Sequence, residues 1–206
     1  MAQAVKTNGS ERVRWDLGDL FASPTDPAVE ANLAQALDFA KSFEARYRGK
    51  LGALDPKAFA EMMGELEVAE EAAIKPEVYA YLLHSQNTQD PAAGRLLARV
   101  REASAERGAH GVFIALELAQ ISEEQAERLF AHPDSARYRH HIEEARKYRQ
   151  HQLSEPEERV LTDFSPVGSG AWVRLFEELC AGIRMDLDGR EVGLEEALTA
   201  LRAADR

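Results

Sequence analysis

Apolar residues recur along the chain at steps of three and four, the spacing of one helix face. Val29, Leu33, Leu37, Ala40, Phe43 and Tyr47 form a first stripe. Phe59, Met62, Met63, Leu66 and Ala69 form a second, and Leu96, Leu97, Val100 and Ala103 open a third. Each stripe follows an Asp-Pro pair: Asp26-Pro27, Asp55-Pro56 and Asp90-Pro91. Such an aspartate accepts hydrogen bonds from the free amides of a helix start, and proline at the first helical position lacks only an amide that would go unpaired. Gly49, preceded by Arg46 and Arg48, predicts the end of the first helix. Pro76 predicts an interruption of the second, with a separate stretch from Glu77 that carries Val78, Tyr81 and Leu82. The third stripe can continue through Gly108 and Gly111 to Val112, Phe113, Leu116 and Ala119, each glycine costing about 1 kcal/mol relative to alanine.

Further along, Ser122-Glu123-Glu124-Gln125 and Ser154-Glu155-Pro156-Glu157 fit capping boxes, in which the fourth side chain reaches back to the amide of the first. His132-Pro133-Asp134 closes one helix and opens another with Tyr138, Ile142, Ala145 and Tyr148 on its stripe. Val160, Leu161 and Phe164 follow the second box, and Ser165-Pro166-Val167-Gly168-Ser169-Gly170 reads as a loop. Trp172, Leu175, Phe176 and Leu179 then make a strongly apolar helix face. That face is expected to be buried, so that Trp172→Ala would cost about 3–5 kcal/mol. Residues 183–187 alternate with period two, Asp188-Gly189 is a two-residue turn signal, and Arg190-Glu191-Val192 returns, predicting a hairpin near 183–192. Residues 194–204 read as a last helix.

The expected fold is therefore mainly α, with seven to nine helices and one short β-hairpin, and no repeat period. Residues 1–14, polar and broken by Asn8-Gly9-Ser10, read as a flexible tail. Order is expected to begin near Trp15-Asp16-Leu17 and Leu20-Phe21, and residues 15–206 form one helical unit. Its last helix stops at Ala204-Asp205-Arg206 without a cap, which predicts a chain that ends mid-helix.

Composition narrows the function classes. The 206 residues carry 25 Lys and Arg against 36 Asp and Glu, a net charge of −11. That balance argues against nucleic acid and anionic membranes as partners, both of which need positive surface. A hydrophobic fraction of 45% is too high for a disordered chain. No apolar run approaches the roughly 20 residues of a membrane span, and residues 1–15 hold no secretory apolar region. A single cysteine, Cys180, excludes an internal disulfide, so the cytoplasm is the expected compartment.

Candidate chemistry is sparse. The histidines are His84, His110, His132, His140, His141 and His151, and none has another histidine four residues on. His140 and His141 with Glu144 offer half a metal site on one helix, the alternative being an exposed, charge-paired face. Cys180 could be a nucleophile only with a base and an electropositive setting; next to Leu179 and four residues from Phe176, on the apolar side, it is expected to be a buried, inert thiol. Gly168-Ser169-Gly170 before a helix could cradle an anion, or serve as a plain interhelical loop. Arg137, Arg139, Arg146, Lys147 and Arg149 form a local basic patch, interleaved with Glu143 and Glu144. It could attract a peptide carboxylate or stand as a solvated, paired helix face. Tyr79, Tyr81, Tyr138 and Tyr148 read as core-edge residues. From these residues no catalytic or metal-binding set is assigned, and substrate-binding residues are unknown.

Four segments together resemble a known family. They are Trp15-Asp16-Leu17-Gly18-Asp19-Leu20-Phe21, Ala80-Tyr81-Leu82 through Asp90-Pro91, Leu153-Ser154-Glu155 through Leu161, and the run from Phe164 to Phe176. In the last, Ser165-Pro166-Val167-Gly168-Ser169-Gly170-Ala171-Trp172-Val173-Arg174-Leu175-Phe176 is the most specific piece. The chain resembles the N-terminal region of oligoendopeptidase F and its relatives, zinc metallopeptidases of the thimet-oligopeptidase-like family. The resemblance implies a cytosolic, mainly helical enzyme whose lobes enclose a channel for short peptides. It also implies a zinc ion held by a His-Glu-x-x-His helix and a later glutamate. Residues 1–206 contain no His-Glu-x-x-His, so no catalytic or zinc-binding residue carries over onto them. The resemblance thus implies an N-terminal lobe that forms channel wall and is inactive alone, its partner the C-terminal catalytic part of the same chain. A stand-alone acidic helical interaction module without enzymatic activity is the alternative, and it would present a fully polar surface. A small metalloenzyme built on His140, His141 and Glu144 is a third reading.

Overall fold

The three aspartates act as the sequence predicts. In this computed structural model, which describes residues 15–202, Asp26 accepts from the amide of Ala28, Asp55 from those of Lys57 and Ala58, and Asp90 from that of Ala92. Helices α1 (Pro27–Tyr47), α2 (Pro56–Gln86) and α3 (Pro91–Gln120) start one residue later, each on its proline. The amides of Ala28 and Ala22 hold the Asp26 carboxyl below its ordinary range. The tail expected over 1–14 and the chain end at 203–206 lie outside the described residues.

Gly49 ends α1 in the left-handed region at φ 79°, where a side chain would be strained. The carboxylate of Glu117, on α3, accepts from the amides of Gly49 and Leu51 beyond that end. Helix α2 corrects the expectation of a break at Pro76, because it runs unbroken through it. Proline inside a helix forfeits a hydrogen bond and costs about 3 kcal/mol or more. Here the ring is fully buried, and packing of α2 against α1 and α3 carries the helix through. Helix α3 likewise runs through Gly108 and Gly111. A Cβ at Gly108 would stand 3.3 Å from Thr162 Cγ2, so the glycine lets a later helix approach closely.

The remaining elements are α4 (Glu123–Phe130), α5 (Pro133–Ala136), α6 (Arg139–Lys147), α7 (Glu155–Phe164), α8 (Ser169–Gly182), β1 (Arg184–Leu187), β2 (Arg190–Gly193) and α9 (Leu194–Ala200). Both capping boxes form, at Ser122 with Gln125 and at Ser154 with Glu157. The single helix expected after His132 is two, because α5 ends after one turn and α6 starts at Arg139. The hairpin pairs Arg184 with Gly193 and Leu187 with Arg190 across Asp188-Gly189, both at positive φ. The fold is mainly α with one short hairpin, as the periodicities predict.

Helices α1, α2 and α3 run up, down and up, each against the other two, with α6 and α7 against α3. Two buried clusters fill this bundle. The larger joins Phe43 from the end of α1, Phe59, Met62 and Met63 from the start of α2 and Phe113 from the later half of α3. It also takes in Leu129, Tyr138 and Ile142 from the α4–α6 region. The smaller joins Phe21, Val29, Leu33, Tyr79, Leu96, Leu97 and Val100 at the other end.

Candidate functional site

The residues singled out by their chemistry are placed first. His140 Nδ1 lies 3.9 Å from Glu144 Oε1, one turn apart on α6, and the His140 side chain is 86% exposed. Glu144 is engaged by Lys147, whose hydrogen bond lowers the Glu144 carboxyl from its ordinary range. Among the described residues no group of three or more His, Cys, Asp or Glu side chains could hold a metal ion, so this pair does not fit a zinc site. The basic patch is spent in pairs. Arg137 meets Glu67, Arg139 lies over the Phe130 ring and beside Glu143, and Arg146 meets Glu123. Arg149 donates to the Gln120 carbonyl at the end of α3, where a cation offsets the helix dipole.

The loop expected at 165–170 is a tight turn joining α7 to α8. Its amides are already used: Gly168 donates to Phe164 O at 2.7 Å and Gly170 to Ser165 O at 3.0 Å. A Cβ at either glycine would stand 3.0 Å from those same backbone oxygens. The turn therefore works as a close connection, with no free amide cradle at Gly168 or Gly170. Tyr79 and Tyr138 are buried, whereas Tyr81 and Tyr148 are exposed.

The polar cluster with the most built geometry was not legible in the sequence. Glu44 of α1 receives His110 of α3 at 2.6 Å and Arg159 of α7 at 2.7 Å, with Arg48 at 3.3 Å. Burial raises the Glu44 carboxyl, and the hydrogen bonds from His110 and Arg159 outweigh it, leaving the group below its ordinary value. Its members lie 66 and 115 residues from Glu44, so no local spacing announces them. The cluster pins α7 to the bundle.

Helix α8 overturns the expectation of a buried face. Trp172 is 73% exposed, Phe176 68% and Leu179 62%, and no residue of α8 is buried. The helix turns its other side, with Gly170, Glu177 and Ala181, toward the bundle. The side chain of Gln89, in the α2–α3 turn, donates to Ala181 O at 3.2 Å. Periodicity shows which residues share a face and is silent on what lies opposite. Cys180 is half-buried rather than buried, and it borders a cleft of about 550 Å³ with Tyr81, His84, Arg101 and Phe176. Packing within the chain does not explain the apolar character of this α8 surface.

The same stretch decides the comparison with known proteins. Residues 117–184 match the family described as Oligopeptidase F. The match spans the end of α3 through α8, and so includes two of the four resembling segments, 153–161 and 164–176. A solved structure, oligoendopeptidase-F from Enterococcus faecium, shares the fold with a TM-score of 0.66 at 21% sequence identity. The superposition covers 84% of this chain and 34% of that one, so the chain spans about a third of the oligoendopeptidase-F it matches. No curated protein matches. The resemblance to the N-terminal region of the oligoendopeptidase F type, drawn from sequence motifs, agrees with both findings. No described helix is long and apolar enough to cross a membrane.

Proposed function

We propose that this chain is the N-terminal, channel-forming portion of a cytoplasmic zinc metalloendopeptidase of oligoendopeptidase F type that hydrolyses short peptides. The Oligopeptidase F match over residues 117–184 carries the reading, and the shared fold supports it. In this reading residues 15–206 form one helical lobe. Its contribution is shape, since α1–α3 give a stiff wall and α6–α7 brace α3. Zinc and the residues that act on the peptide bond belong to the C-terminal part, because the described residues offer no fitting donor set. The exposed apolar side of α8 counts against a stand-alone acidic module, which needs a polar surface throughout.

Reading the gene past the codon for Arg206 tests the proposal. A frame that continues into His-Glu-x-x-His and a later glutamate helix is expected. A stop codon there, with no catalytic partner encoded nearby, would defeat it. The purified 206-residue chain is expected to leave a quenched bradykinin-sized peptide uncut, with or without added zinc. Chelator-sensitive cleavage by a clean sample would contradict that.

A further inference from the structure

We infer that the outward side of α8 is the surface on which the remaining two thirds of an oligoendopeptidase-type chain docks, an inference that rests on the peptidase reading above. Trp172, Val173, Leu175, Phe176 and Leu179 are all exposed on this one helix. A lone exposed apolar residue is ordinary, but five on one helix make a contiguous patch of the kind that marks a contact surface. Helix α8 could hide these side chains by turning about its axis. It instead sets small Gly170 toward α3 and Ala181 toward α2 and α3, with Glu177 between them and Phe176 at the rim of the cleft beside Ala181. The clefts on that inner side, about 570 Å³ by Gly170 and about 550 Å³ by Ala181, show that the bundle leaves room there.

The occupant follows from two observations and from the poor fit of two alternatives. All of α8 lies inside the Oligopeptidase F segment, so the patch belongs to the part of the chain that matches the family. The related solved chain carries about twice as much polypeptide outside the superposed region as inside it, a supply of covering surface in the same molecule. A membrane fits poorly, because a helix that lies on lipid carries lysine and arginine along its polar side. Helix α8 carries a lone Arg174 there against Glu177 and Glu178. A second copy would bring another net charge of −11 against the first.

The test compares the protein encoded by the complete reading frame with the 206-residue chain, each measured beside its own Trp172→Phe variant so that the difference isolates Trp172. Acrylamide quenching of Trp172 is expected to fall several-fold in the longer protein, with a blue-shifted emission. Phe176→Asp is expected to lower the Tm of the longer protein and leave that of the 206-residue chain within a degree or so. Equal quenching in the two proteins would overturn the docking surface while leaving the peptidase reading standing. A shorter-chain dimer abolished by Phe176→Asp would overturn it too, by showing a second copy as the occupant. A frame that closes at Arg206 would remove both the surface's partner and the peptidase reading.

Discussion

Phe113 and Phe176 are the same residue type on the same kind of helical stripe, yet Phe113 is 2% exposed and Phe176 68%. Phe113 lies in α3, which α1, α2, α6 and α7 surround. Phe176 lies in α8, which is joined to α7 by a tight turn and to the α2–α3 turn by Gln89. Burial depends on what stands opposite as much as on the stripe itself. The bundle buries the apolar stripes that face its centre, though Val68, Ile74, Val78 and Tyr81 of α2 stay exposed, whereas α8 buries none of its own.

Substitutions ordered by size can break that contrast. Phe113→Ala removes a buried ring from the larger cluster and is expected to cost about 3–5 kcal/mol in urea unfolding. A loss under about 1 kcal/mol would mean that the bundle core is loose. Glu44→Gln exchanges the charged acceptor shared by His110 and Arg159, and about 1–3 kcal/mol is expected at neutral pH. The same variant sharpens a pH prediction. Because the folded Glu44 carboxyl is held below its ordinary 4.5, its contribution is complete above that value. It is lost as the pH falls through the lower folded value. Acid-limb urea midpoints of wild type and Glu44→Gln should therefore converge, and parallel curves would count against the cluster.

Ser122→Ala removes the acceptor for the Gln125 amide and is expected to cost about 1 kcal/mol, read from the same unfolding curves. Trp172→Ala closes the order. In the 206-residue chain it should change stability by no more than about 0.5 kcal/mol, because the indole is already in water. A loss of 3 kcal/mol would restore the buried face that periodicity suggested.

Local chemistry was legible wherever the partner sits within a few residues. The Asp-Pro starts, both capping boxes, Gly49 and the Asp188-Gly189 turn all follow from side chains acting on adjacent backbone. Pro76 misled because the ring's packing, contributed by the third dimension, outweighs one missing hydrogen bond. The Glu44 cluster and the Gly108–Thr162 approach join distant segments, and no spacing encodes them. The basic patch needed its partners Glu67 and Glu123 before it read as structural. Chain motifs around Phe164–Phe176 pointed to the family while the same residues, read by periodicity, pointed wrongly to a core. A helix that docks on another part of a protein has the apolar stripe of a core helix.

Amide hydrogen exchange on the 206-residue chain tests the central contrast most directly. Amides in the middle of α2 and α3 should exchange only with global unfolding, and those of α8 through local opening, orders of magnitude faster. Protection of α8 equal to that of α3 would contradict the account, because it would show the Trp172–Phe176–Leu179 face already covered.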